Sequence, residues 1–166
     1  MSQDDSTVVR QLPNELFLPQ VVALLNEGHT VTLPLRGRSM RPFLEDNRDK
    51  ALLKAIEETP QVNDVVLAEL TPGRFVLHRI ISIEGDQVTL RGDGNLSDDP
   101  VCKLENIHAK AIGFYRKGSF RIDSTRSCKW RNYSWWWTRL YPIRRYLLFI
   151  LYPHIPYRFK KVKGEG

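Results

Sequence analysis

Residues 37–44 read Gly-Arg-Ser-Met-Arg-Pro-Phe-Leu and follow a predicted strand over 30–36. The glycine lets the backbone turn sharply, and the proline fixes the direction in which the chain leaves the turn. The methionine and the phenylalanine are apolar and can anchor the loop to a core. The pattern is compatible with an exposed Ser39 hydroxyl on a firmly held turn, which is the presentation that nucleophilic catalysis requires. This stretch alone favours a simpler interpretation, a strand-to-loop turn with a solvent-facing serine.

A histidine, His78, interrupts the apolar and β-branched run at residues 75–81, which predicts a strand. A histidine in such a run is more often a hydrogen-bonded core residue than a catalyst. It gains interest beside Ser39, because a neutral imidazole is the natural base for a hydroxyl group.

A third segment, residues 91–99, reads Arg-Gly-Asp-Gly-Asn-Leu-Ser-Asp-Asp. Its glycines and Asx residues predict a tight turn. The carboxylates of Asp93, Asp98 and Asp99 are also able to orient a histidine.

In this order and spacing, the segments resemble the signal peptidase I superfamily, which also contains the self-cleaving LexA-like repressors. Residues 37–42 match the Gly-x-Ser-Met-x-Pro nucleophile box, and residues 76–80 match the box that carries the general base. Residues 63–67, Asn-Asp-Val-Val-Leu, resemble the Gly-Asp-Val-Val-x strand of the family. Residues 92–99 resemble its Gly-Asp-Asn-Asn-x-x-Asp-Asp box, and the resemblance covers roughly residues 30–116.

Histidine at the base position is typical of the endoplasmic-reticulum and archaeal type and of relatives in some bacteria, whereas bacterial signal peptidases and the repressors have lysine. The resemblance implies a serine endopeptidase in which Ser39 attacks a peptide carbonyl and His78 accepts its proton. It implies that Asp99 orients His78 and that Asp93 holds the turn or shares that role. Backbone amides near Ser39 would bind the oxyanion, although Gly37 replaces the hydroxyl residue often found there in bacterial signal peptidases. No metal or organic cofactor is implied.

Pattern and resemblance together predict a mainly β fold, a coiled antiparallel, barrel-like sheet of the signal-peptidase type. We divide the chain into an N-terminal helical segment (1–29), a catalytic β domain (30–118) and a basic aromatic tail (119–166). Glycine and proline predict hairpin turns at 71–73 and 84–87. Strands are predicted at 31–36, 51–56, 65–70, 74–83, 88–91 and 109–116.

Apolar spacing predicts a helix over residues 12–27, which Pro19 would divide into two short turns. So early a helix leaves no room for a DNA-binding domain before Ser39, which argues against a repressor. The first residues are polar and acidic, which predicts neither a signal peptide nor a membrane anchor.

Charge is distributed unevenly, with a net −6 over residues 1–100 and +12 over residues 101–166. The tail contains all four tryptophans, and helices are predicted at 129–141 and 143–152. Aromatic residues mixed with arginines are typical of segments at a membrane interface, so residues 126–163 are predicted to attach to an anionic membrane. A C-terminal helix that packs its aromatics onto the β core explains the same composition equally well. Nucleic-acid binding is the weakest of the three interpretations.

With two widely spaced cysteines, Cys102 and Cys128, we expect a reduced compartment. The predicted location is cytoplasmic, with peripheral attachment to the inner face of the membrane as the tail's contribution. The predicted partner is a peptide or protein substrate. A non-catalytic peptide-binding member and a self-processing regulator of the same fold are the alternatives, and the sequence leaves the oligomeric state open.

Overall fold

The computed structural model describes residues 14–96, 99–117 and 119–153. The predicted helix start before residue 14, Ser97 and Asp98 of the predicted turn, and residues 154–163 of the tail lie outside them. The elements in chain order are α1 (Asn14–Asn26), β1 (Val31–Pro34), β2 (Lys50–Ala55), β3 (Val65–Thr71), β4 (Arg74–Glu84), β5 (Gln87–Arg91), β6 (Val101–Lys103), β7 (Ile107–Tyr115), β8 (Ile122–Ser124), α2 (Cys128–Arg139) and α3 (Arg144–Leu151).

All eight strands join one antiparallel sheet in the order β1-β2-β7-β3-β4-β5-β6, and β8 pairs with β7. The predicted mainly β, antiparallel fold is therefore confirmed. The barrel-like form is wrong, because β1 and β6 stand at opposite ends of the sheet and do not pair within the described residues. These end strands have only four and three residues, so they offer few hydrogen bonds for closure.

The apolar run at the start of β3 is buried on both faces of the sheet. Val65 and Leu67 belong to one hydrophobic cluster with α1, β2 and β7, while Val66 and Ala68 belong to a second cluster with β4 and β5. Because successive strand residues face opposite sides, a continuous apolar run is what a doubly covered strand requires.

Six predicted strands are confirmed, and both hairpin turns form where glycine adopts a positive φ. The three-residue strands β6 and β8 were not predicted, because their periodicity is too short to detect. The prediction that Pro19 divides the first helix is wrong, since α1 is continuous through it. Packing of Leu18, Val21 and Leu25 against the core holds that helix together.

The tail forms both predicted helices, and one side of α2 packs onto the β core. Trp130 is 5% exposed and lies in the main hydrophobic cluster, with its ring centroid 4.6 Å from Phe43 and 4.7 Å from Phe114. Ser127 begins α2 by accepting a hydrogen bond from the Trp130 N–H. The core-packing interpretation therefore holds for this side of α2.

Truncation after Ser124 should cause unfolding or aggregation, because it strips Trp130 from the core and uncovers apolar surface on Phe43 and Phe114. Loss of one buried tryptophan side chain alone typically costs about 3–5 kcal/mol. Thermal and urea unfolding followed by circular dichroism would measure the effect. Truncation after Pro153 keeps every described element and serves as the control. A cooperatively folded Ser124 truncation with near-normal stability would contradict this role of the tail.

Candidate functional site

The turn that carries Ser39 is fixed by its own backbone and by apolar anchors. Gly37 has φ 90°, a conformation that favours glycine, and its N–H donates to Asp46 Oδ1 at 2.8 Å. The Arg41 N–H donates to the Arg38 carbonyl across the turn. Met40 and Phe43 on its far side are buried, as the sequence predicts, while Ser39 is half-buried.

A buried carboxylate, Asp49, closes the loop after this turn. It accepts hydrogen bonds from the backbone N–H groups of Glu45 and Lys117 and from the guanidinium of Arg48. Although burial favours its neutral form, these hydrogen bonds lower the pKa of Asp49. No local sequence pattern indicates this role, because Lys117 is 68 positions away along the chain.

The predicted tight turn at residues 92–95 forms and lies directly against Ser39. The Asn95 N–H donates to the Gly92 carbonyl, and the Gly94 N–H donates to the Ser39 carbonyl at 2.7 Å. A Cβ atom on Gly92 would come within 2.5 Å of the Ser39 carbonyl oxygen, and one on Gly94 within 2.6 Å of the Arg38 carbonyl oxygen. Both glycines are therefore needed for close approach of two backbones, which the sequence could not reveal.

His78 lies on β4, where it pairs with Val66 of β3. The neighbouring pair Arg79–Arg91 joins β4 to β5, and β5 ends directly before Gly92. Since Gly92 packs on the Ser39 backbone, the strand pair that includes His78 leads into the turn that touches Ser39. Within the described residues no hydrogen bond yet joins the imidazole to the Ser39 hydroxyl, and such bonds are often long before substrate binds.

The imidazole of His78 is held neutral. The residue is only 6% exposed, and its Nδ1 is buried without a hydrogen-bond partner. Burial lowers the pKa of His78 to about 4, while the charges of Asp93 and Asp99 act in the opposite direction. The two carboxylates are thus close enough to act on His78 electrostatically, and the imidazole is unprotonated at neutral pH.

Each predicted aspartate is engaged by an arginine. Asp93 forms a bidentate pair with Arg79, with nitrogen–oxygen distances of 2.8 and 2.7 Å, and both side chains are 3% exposed. Asp99 forms a bidentate pair with Arg91. Neither carboxylate accepts a hydrogen bond from His78, so the orienting role of Asp99 stays a prediction. Asp93 is placed to hold the turn, the first of its two predicted roles.

Three residues of the tail donate hydrogen bonds to the Asp93 turn. No part in the site was predicted for the tail from the sequence. Tyr133 donates its hydroxyl to Asp93 Oδ2 at 3.2 Å, and Trp137 Nε1 donates to the Asp93 carbonyl at 3.0 Å. Arg144 donates to the Asn95 carbonyl. One sequence feature indicated a buried ion pair: Arg79 is a cation inside an apolar strand and therefore needs a buried anion. The sequence does not show which carboxylate supplies that anion.

Two backbone N–H groups in the Ser39 turn have no acceptor within the described residues. Within the described residues, the N–H groups of Ser39 and Met40 donate to no protein acceptor, whereas those of Gly37 and Arg41 do. Amides of this kind are the groups that stabilise an oxyanion. The Ser39 turn thus carries a hydroxyl and two amide donors without a partner among the described residues, and β4 carries a neutral imidazole.

Other features of the described residues add no chemistry to this site. No group of three or more histidine, cysteine, aspartate or glutamate side chains within them is placed to hold a metal ion. An open cleft of about 1010 Å³ lies between β3, β7 and α2, and its lining includes Lys54, Glu57, Asp64 and Trp135 but none of the predicted catalytic residues.

A search of models of known protein families gave no match to this chain, and neither did a search of curated protein sequences.

Asp93→Asn should destabilise the fold by about 3–5 kcal/mol, because it leaves the buried Arg79 guanidinium without a counter-charge. Asp123→Asn is the matched control, since Asp123 pairs with Lys129 and Arg116 at 3.3–3.4 Å at the surface and should cost less than about 1 kcal/mol. Urea unfolding of both variants measures the difference. Equal stability of the two would show that the buried pair contributes little.

Proposed function

We propose that the chain is a serine endopeptidase that works through Ser39 and His78, of the histidine type of the signal peptidase I superfamily. The observation that carries the proposal is the contact between two turns far apart in sequence. The Gly92–Asn95 turn seats its glycines on the Ser39 backbone and follows the strand that pairs with β4, which carries His78. A serine hydroxyl and a neutral imidazole are the two groups that nucleophilic catalysis of this type requires.

In the proposed reaction, Ser39 Oγ attacks the peptide carbonyl while His78 accepts the hydroxyl proton. The oxyanion that forms accepts hydrogen bonds from the N–H groups of Ser39 and Met40. His78 then gives the proton to the leaving amine, and the peptide bond breaks to leave an ester on Ser39. Water, deprotonated by His78, hydrolyses this ester and restores both side chains.

Asp93 and Asp99 assist through their charge. Both raise the pKa of His78 and so favour the imidazolium that forms when Ser39 loses its proton. Arg79 and Arg91 hold the two carboxylates in place.

A second candidate is a non-catalytic member that binds a peptide by strand addition. Two observations favour it: no hydrogen bond joins Ser39 to His78, and β1 pairs on one side only among the described strands. An extended peptide can pair with such a free edge. Binding of library peptides, measured by titration calorimetry, without turnover and without reaction of Ser39 would favour this candidate.

Ser39→Ala and His78→Gln should each lower kcat/KM at least about a hundredfold, because each removes one half of a cooperating pair. Glutamine keeps polarity and much of the volume at the buried position 78. Turnover of a mixed peptide library, read by mass spectrometry, measures activity, and a serine-directed acylating probe reports the reactivity of Ser39.

Ser82→Ala and His29→Ala are the matched controls, since Ser82 lies on β4 and His29 is exposed. Both should retain activity. Near-normal turnover in His78→Gln, with the fold intact by circular dichroism, would show that another group is the base.

The pH profile of kcat/KM should rise through the pKa of His78 at about 4 and be flat across neutrality. Asp99→Asn should move this acid limb to lower pH, because it removes a negative charge that raises the pKa. Asp86→Asn, in the exposed β4–β5 turn, should leave it unchanged.

Folding must be checked at each pH. The unfolded chain protonates His78 below about pH 6.5 and the folded chain only near 4, so stability falls as the pH drops between these values. A rate that climbs only above about pH 9 would identify a different base.

A further inference from the structure

The helices α2 and α3 leave one side of each uncovered. On α2 the residues at helical spacing that face the core, Trp130, Ser134 and Trp137, are buried. On α3 Leu148 and Arg144 are buried. Six large apolar side chains of these helices are between 48% and 72% exposed. We call them the outer face: Trp135, Trp136, Tyr146, Phe149, Ile150 and Leu151.

The outer face carries cations and no anions. Arg131, Arg139 and Arg145 are exposed, and the sequence contains no acidic residue between Asp123 and Glu165. Arg139 stacks on Trp135 at 4.1 Å, and Arg145 stacks on Tyr146 at 4.6 Å. These pairs keep the guanidinium beside the aromatic ring at the surface, so charge and apolar area are presented together.

We propose that the outer face docks the protein peripherally on an anionic lipid surface. Tryptophan, tyrosine and arginine are the side chains that settle at a bilayer interface, where the ring reaches the acyl boundary and the cation meets the headgroups. None of the helices in the described ranges combines the length and apolarity needed to cross a bilayer. The helices therefore lie on the surface, with Trp130 and Trp137 turned toward the core.

Charge argues against a second copy of this chain as the occupant. Two outer faces brought together would oppose arginines to arginines with no carboxylate between them. An anionic lipid layer supplies negative headgroups for the arginines and an apolar interior for the exposed aromatic and aliphatic side chains.

Docking would hold the proposed site at the membrane, because Tyr152, which follows α3, contacts the loop that carries Ser39. Tyr152 donates its hydroxyl to Glu45, and Arg41 stacks on the Tyr152 ring at 4.7 Å. Arg144, on the inner side of α3, donates to Asn95 of the Asp93 turn. The inference does not depend on catalysis, since binding can be measured without a substrate.

Co-sedimentation of the full chain with vesicles tests the proposal. Phosphatidylcholine vesicles are compared with vesicles that also contain phosphatidylglycerol, at low and high salt, with a vesicle-free blank. We expect binding only to the anionic vesicles, weakened by salt. Arg139→Gln and Arg145→Gln should each weaken it about fivefold. Trp135→Ser with Trp136→Ser, and Phe149→Ser with Ile150→Ser, should each weaken it at least about tenfold.

The matched controls are Arg74→Gln and Phe120→Ser, an exposed cation and a 99% exposed aromatic outside the outer face. Both should bind as the unchanged protein does. Brominated lipids should quench tryptophan fluorescence, and the Trp135→Ser, Trp136→Ser variant should lose most of that quenching.

Four outcomes would overturn the proposal. These are no binding to anionic vesicles at low salt, sedimentation in the vesicle-free blank, binding that survives both apolar double variants, and preference for soluble polyglutamate or an oligonucleotide over vesicles. The last would assign the outer face to an acidic macromolecule. Circular dichroism of each variant would establish that loss of binding is not loss of fold, which exposed substitutions should leave intact.

Discussion

The buried pair of Arg79 and Asp93 is the interaction on which the site depends. Arg79 follows His78 on β4, and Asp93 lies in the turn that touches Ser39, so the pair joins the strand of the proposed base to the turn next to the proposed nucleophile. Burying two charges at 3% exposure is costly unless further hydrogen bonds accompany the pair. Asn63, Ser134 and Tyr133 supply such bonds, and two of these residues come from α2.

The same pair shapes the electrostatics of the proposed dyad. Burial keeps the neighbouring imidazole neutral, and the two nearby carboxylates raise the pKa of His78 against that effect. Because arginines hold both carboxylates, their charge acts on His78 from fixed positions and without a direct hydrogen bond. Asp93 thus has two roles, because its carboxylate neutralises the buried Arg79 and its charge raises the pKa of His78. Loss of activity on its replacement would therefore not by itself show a part in catalysis.

The tail confirms one of the interpretations that its composition left open, core packing, and leaves exposed the side chains on which the membrane proposal rests. Helical periodicity divides α2 into a buried side, which contains Trp130 and Trp137, and an exposed side, which contains Trp135 and Trp136. The first side completes the hydrophobic core and clamps the Asp93 turn. The second side is free to meet a partner. A composition rich in tryptophan and arginine could not decide between these uses, because it does not say which side chains face inward.

A family resemblance suggested the grouping of Ser39, His78, Asp93 and Asp99, which stays a proposal. The sequence by itself determined the antiparallel β fold, the two hairpins and the helices of the tail. Local periodicity, glycine and proline carry that information, since they act within a few residues of the chain. Only the tertiary structure decided that the sheet stays open, that Asp93 pairs with Arg79, and that the tail closes over the site. Those outcomes depend on contacts between residues tens of positions apart, for which a single sequence holds no local signal.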